Sequence, residues 1–259
     1  TANAVVYWQR LGRSSGNKGY RFTSVIGDYT RLSEVSNDSY GLSGRGEKTL
    51  DLGGLSHRFT LGGNFASGKT TQYSSGRDSC AVTPHPSCNF LHTNQSDMPD
   101  VDSTQFGIFV DDEIAFGDSG FSLTPGLRYD WYDPSPKDTA AYQANPNYTG
   151  LPAGQSEGRF SPKLLGKYEV TPEFDVFAQW AMAFRAPTAA ELYLDYGAPG
   201  TYLRIGNAGM KPETSNGFEI GATYENGSLR GRATGFYNRY KNFIDTRALS
   251  AAEQTALGI

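Results

Sequence analysis

No run of eighteen apolar residues occurs anywhere in the chain, so none of it is suited to cross a membrane as a helix. Helical periodicity is missing as well, which removes a parallel α/β architecture from consideration. An excess of positive charge is absent: the formal net charge is −4 and the pI is near 5.4, which argues against a nucleic-acid partner. Hydrolase, P-loop and dinucleotide signatures are all wanting, with no G-x-S-x-G, no H-E-x-x-H and no Gly-rich phosphate loop after a strand, so nothing points to an enzyme. Cysteine (2), methionine (3) and histidine (3) are scarce.

What is plentiful is glycine (31), tyrosine (16) and phenylalanine (15), a β-type composition. Period-two alternation dominates. Phe106, Ile108, Val110, Ile114 and Phe116 alternate with Gln105, Gly107, Asp111 and Glu113. Phe121, Leu123, Pro125, Leu127, Tyr129 and Trp131 alternate with Ser122, Thr124, Arg128 and Asp130. The same holds for Phe160 to Val170, Phe174 to Phe184 and Phe218 to Tyr224. Successive strand side chains point to opposite faces, so each segment has an apolar and a polar side.

These runs extend over roughly 10–14 residues, beyond the usual strand and about what a tilted strand needs to span a bilayer. Short turns at 53–56, 117–120, 170–173 and 225–228 alternate with long polar segments at 76–102, 134–157 and 186–212. Tight turns on one side and long loops on the other are the wiring of outer-membrane barrels. We therefore expect an all-β, antiparallel transmembrane β-barrel, with residues 1–259 forming part of one barrel domain. A mean hydropathy of −0.50 does not oppose this, because alternating strands average to an unremarkable value. The alternative is a soluble β-sandwich binding module, whose strands also alternate but whose loops are rarely so long. The chain opens directly on a strand-like segment, Thr1 to Trp8, and ends in Ala251 to Ile259 without a closing strand, so a fragment of a longer protein is expected.

Cys80 and Cys88 have seven residues between them in a Pro/Ser/Asp-rich segment, a spacing that suits a loop-stapling disulfide and not a zinc site. His85 and His92 lie in or just after that segment; either could ligate haem or a metal, and the plainer role is a solvated loop histidine. His57 sits beside a short turn as an ordinary residue of that end. Alternation sends Asp112 to the apolar face and Asp111 and Glu113 to the polar one, where ion pairs with Arg128 or Lys163 account for them. Phe184-Arg185 closes a strand, Ala186-Pro187 ends its ladder, and Thr188 to Leu192 forms a helical turn capped by Thr188 with Glu191 three residues on.

That stretch and the one that follows, "FRAPTAAELY … GNAGMKPETSNGFEIG", resemble the FRAP and N-P-x-L-K-P-E-x-S boxes of TonB-dependent outer-membrane receptors. The matching residues are Phe184, Arg185, Ala186 and Pro187, then Asn207, Lys211, Pro212 and Glu213, with Ala208 where proline is usual. "NDSYGLSGRG", "LGGLSHRFTLGG" and "CNFLHTNQSDMPDVDS" resemble the haem/haemophore (HasR-like) branch. The resemblance implies a 22-stranded barrel, closed by a plug domain that this chain lacks and energised by the TonB complex of the inner membrane. It implies haem as a transported ligand, taken up as such or from a haemophore docked on the extracellular loops, with a ferric siderophore as the alternative cargo, and no catalytic cofactor. Haem receptors of this kind often carry a ligating histidine between the two boxes; this chain has Tyr193, Tyr196 and Tyr202 there instead. A tyrosinate can ligate ferric haem, and packing within the loop or contact with a partner is the other role for these side chains.

Overall fold

The computed structural model describes residues 1–21, 27–78, 93–198 and 202–256. In chain order the strands are β1 (Ala2–Arg21), β2 (Gly27–Leu52), β3 (Leu55–Asp78), β4 (Asp100–Ala115), β5 (Phe121–Lys137), β6 (Glu157–Thr171) and β7 (Phe174–Arg185). They continue with β8 (Asp195–Ala198), β9 (Tyr202–Ile205), β10 (Glu213–Glu225) and β11 (Arg230–Lys241). Among the described residues three short α-helices, α1 (Ala140–Gln143), α2 (Ala189–Tyr193) and α3 (Ala251–Ala256), lie outside the sheet. Nine strands form one antiparallel meander, β1-β2-β3-β4-β5-β6-β7-β10-β11, while β8 and β9 make a small hairpin of their own. Among the described residues no helix is long and apolar enough to cross a membrane.

The short turns fall where glycine and polar residues put them. Leu52 and Leu55 are register partners, and Gly53 and Gly54 between them have φ of 62° and 82°, the geometry of a two-residue hairpin turn. The upper halves of β1, β2 and β3 exceed the lengths expected from alternation: β2 runs 26 residues and β3 runs 24. Stretches such as Arg13 to Asn17 and Ala66 to Ser75 carry no apolar period, yet they pair, because ladder hydrogen bonds come from the backbone.

Register decides the faces. Val6, Leu42, Phe65, Phe106 and Trp131 are successive cross-strand partners, as are Ala2, Gly46, Leu61, Val110, Leu127 and Pro162. Along β4 and the residue that follows it the belt runs from Phe106 to Phe116, about 34 Å along the chain and about 26 Å high for a strand tilted by ~40°. The large apolar side chains of this face are exposed, Val6 at 83% and Ile220 at 68%. A sandwich would bury that face against a second sheet, and the only other sheet among the described residues is the β8–β9 hairpin. The sandwich alternative is thereby overturned.

Above the belt come Trp8 and Tyr40, then an alternating charged row, Arg10–Asp38–Lys69–Asp102, one residue from each of four adjacent strands. Arg10 Nε donates to Asp38 Oδ1 at 2.5 Å and Lys69 Nζ lies 2.8 Å from Asp100. Within the belt Asp112 does point outward, as alternation demands, and is met by His57 Nδ1 at 2.9 Å. The opposite face is polar and internally neutralised. Lys163 Nζ donates to Asp111 at 2.9 Å, Glu113 pairs with Arg58, and Arg128 reaches Asp130 and Asn64 (2.6 Å to Asn64 Oδ1).

Candidate functional site

A cluster of buried apolar side chains lies on the long-loop side, in the segments that join the strands and at the start of β4. Met98, Val101, Leu192 and Tyr193 form a core, with Ala189, Ala208 and Met210 packed against it. The β3–β4 and β7–β10 connections share this core, and the β5–β6 connection joins them by hydrogen bonds, Ser96 N to Ala141 O and Asn145 Nδ2 to Ser96 O and Asp195 O, so the three form one layer.

The β7–β10 connection is built from the strand end upward. Pro187, buried, has no N–H to extend the ladder. Thr188 Oγ1 accepts from Glu191 N, and Glu191 Oε2 accepts from Thr188 N at 2.7 Å, a full capping box for α2. The same Glu191 carboxylate takes Arg185 Nη1 at 2.9 Å and Nη2 at 3.1 Å. Arg185 Nε and Nη2 also donate to Glu213, at 2.8 and 3.2 Å, across the β7–β10 register pair. One guanidinium therefore joins the two motif boxes. Glu213 further accepts from Ile244 N at 2.6 Å, which ties down the segment after β11.

Within the second box, Asn207 N donates to Glu191 O at 2.9 Å, and its side chain accepts from Gly209 N at 2.9 Å. Gly206 N donates to Leu194 O at 2.6 Å, and a Cβ on Gly206 would lie 2.7 Å from the Leu192 carbonyl carbon, so a larger residue cannot sit there without moving backbone. Ala208, at the usual proline position, packs on the core, Pro212 is fully buried, and Lys211 is exposed.

Tyr193 is corrected as a ligand candidate. It is 3% exposed and its hydroxyl donates to Pro134 O at 3.2 Å, so it anchors α2 to the end of β5, and burial pushes its hydroxyl pKa upward. Tyr196, on β8, lies under the Arg31 guanidinium, 5.1 Å from its ring centre. Tyr202 places its backbone opposite Ala198 in β9; its side chain lies outside the described residues. Cys80, Cys88, His85 and His92 lie outside them too, with the expected disulfide. Among the described residues no three His, Cys, Asp or Glu side chains come together as a metal site.

Sequence reading missed the polar hub of the layer. Asp97 N donates to Gln72 Oε1 at 2.5 Å, and its carbonyl accepts from Asp195 N at 2.7 Å. Its carboxylate accepts from Arg31 Nη2 at 3.1 Å and Gln72 Nε2 at 3.3 Å. Asn145 Nδ2 donates to Ser96 O and Asp195 O, and Asn147 Nδ2 to Asp195 Oδ1 and Gly197 O, at 2.8–3.3 Å. Against the polar sheet face lies a cavity of about 710 Å³, bordered by Asp111, Arg128, Asp130 and Lys163.

The Arg185 clamp holds both Glu191 and Glu213 below the usual carboxylate range, chiefly through the hydrogen bonds it donates, and is itself raised. Depressed carboxylates add stability that is complete above their unfolded pKa near 4.3 and is lost as pH falls through the lower folded values. Limited proteolysis of the β7–β10 connection is therefore expected to be slow and flat from pH 7 to 5 and to accelerate below pH 4. An Arg185→Gln variant is expected to be cleaved faster at neutral pH and to lose that acid step.

A model of the β-barrel of TonB-dependent receptors matches residues 1–256. The chain belongs to this family. Members are Gram-negative outer-membrane β-barrels that transport and do not catalyse, so the barrel reading and the outer-membrane location both hold for the receptor. It is 28% identical over 137 residues to the hemoglobin-haptoglobin utilization protein B of Neisseria meningitidis serogroup C, covering 50% of the chain and 16% of that relative. It is 31% identical over 146 residues to a ferric enterobactin receptor of Pseudomonas aeruginosa, covering 54% of the chain and 17% of the relative. Its fold follows the Serratia marcescens haemophore receptor HasR, solved with its haemophore and haem, with a TM-score of 0.62 at 16% identity over 93% of this chain and 41% of that one. The chain thus spans about a fifth or less of the length of these two curated relatives.

Proposed function

We propose that the receptor captures haem, or a protein carrying it, on the packed loop layer and passes it through the outer membrane with energy from TonB. The observation that carries this reading is the ordered layer itself. Three connections joined by Asp97, Asn145 and the Leu192–Tyr193 core form a pre-organised surface over the polar wall, and pre-organisation lowers the ordering cost of binding. Likeness to a hemoglobin-haptoglobin utilization protein supports haem as the cargo. Tyr196, Tyr202, His85 and His92 are the axial-ligand candidates, and Tyr193 is not among them. Inward passage follows the polar face, where Arg128 and Lys163 are already neutralised and do not trap an anionic cargo.

A ferric siderophore is the second reading, favoured by the likeness to a ferric enterobactin receptor. Titration of the detergent-solubilised full-length receptor decides between them. Haem is expected to produce a Soret band that shifts when Tyr196 and Tyr202 are replaced by phenylalanine together. A receptor that shows no haem band but binds a ferric siderophore would replace haem as the cargo.

A further inference from the structure

Arg31 stands on the inward face of β2, roughly 24 Å along the strand beyond Asp38 at ~3.4 Å per residue. Its side chain is 14% exposed and is surrounded by polar groups of three other segments, β3, the β3–β4 connection and β8. Nη2 donates to Ser74 Oγ at 2.9 Å and to Asp97 Oδ2 at 3.1 Å, Nη1 lies 3.5 Å from the Tyr196 hydroxyl, and the guanidinium covers the Tyr196 ring. Nε is buried and has no acceptor.

That orphaned N–H identifies what is missing. The Nε–Nη2 edge of a guanidinium matches the two oxygens of one carboxylate, in parallel hydrogen bonds. Asp97 supplies an oxygen to Nη2 and leaves Nε unanswered. It cannot slide into the bidentate position, because its backbone is held on both sides, by Gln72 Oε1 at 2.5 Å and by Asp195 N at 2.7 Å. A carboxylate that arrives on a mobile ligand has no such tether and fills both donor positions.

We propose that Arg31, backed by Tyr196, is a recognition site for a carboxylate of the imported ligand, and that Asp97 is its stand-in until the ligand displaces it. This rests on the proposed uptake of an iron-bearing ligand, and the haem propionates are the first carboxylates it would take. Displacing the Asp97 carboxylate also parts it from Gln72 Nε2, while the backbone bonds to Gln72 Oε1 and Asp195 N stay in place.

The test titrates the full-length receptor in detergent with ferric haem and with haem dimethyl ester, whose carboxylates are blocked. Asp97→Asn removes the competing charge and is expected to tighten haem about tenfold while leaving the ester unchanged. Arg31→Lys keeps a charge without the fork and is expected to weaken haem about tenfold, again sparing the ester. A merely structural ion pair makes the opposite forecast: Asp97→Asn weakens both ligands or neither. Failure of Asp97→Asn to tighten haem selectively, or an equal loss of both ligands in Arg31→Lys, overturns the proposal. If the wild-type receptor binds no haem, the haem reading fails by itself, and the same variants are then compared on ferric citrate and a ferric catecholate. A gain in Asp97→Asn confined to the citrate complex retains the site, and its absence ends it.

Discussion

Leu61→Arg is expected to destabilise the receptor in a lipid bilayer by ~2–4 kcal/mol, while Thr60→Arg, its neighbour on β3, changes little. Leu61 lies in the middle of the apolar belt, between Gly46 and Val110, and is 56% exposed. In water an arginine at so exposed a position would be harmless. In hydrocarbon its guanidinium loses hydration with no partner to replace it. Thr60 faces the other way, between Glu47 and Asp111, where an arginine gains carboxylate neighbours. Urea unfolding of the full-length receptor reconstituted in phospholipid vesicles reads both. Equal stabilities for the two variants would mean that the outward face does not contact lipid.

Leu192→Ala is expected to cost the loop layer about 2–5 kcal/mol, the range for emptying a close-packed aliphatic site. Leu192 is 2% exposed and touches the core shared by Met98, Val101 and Tyr193. Because this core meets the strand ladder only near the loop-side ends of the strands, at Val101 of β4 and Pro134 of β5, the loss should be local. Amide exchange is expected to accelerate across residues 93–99 and 189–210 and to stay slow in β3, β4 and β5. Haem capture is expected to fall with it, since the surface would be ordered only on binding. Unchanged exchange in those segments would show that the loops hold their shape without that core.

Much of this was legible in the residues. The alternation from Phe106 to Phe116 named the lipid face of β4 correctly down to its exception, Asp112, and the short turns were marked by their glycines and polar residues. Thr188 and Glu191 announced the cap of α2, because a capping box is a contact between residues three apart. Less visible were the upper halves of β1, β2 and β3: polar on both faces, they pair through backbone alone and leave no side-chain period. Tyr193 and Tyr196 looked equivalent in sequence, yet one is buried as a packing residue and the other carries a guanidinium.

By itself, then, the sequence determined what repeats every two residues or closes within a turn: strands, their two faces, the hairpins and the helix cap. Such features depend on neighbours along the chain, so their causes lie within a few residues of their effects. Only the tertiary structure decided that Arg185 binds Glu213 and that Arg31, Asp97, Asn145 and Asp195 meet in one layer. Those contacts join residues far apart in the chain. Their partners are selected by strand register and by the packing of three connections, and neither leaves a periodic trace.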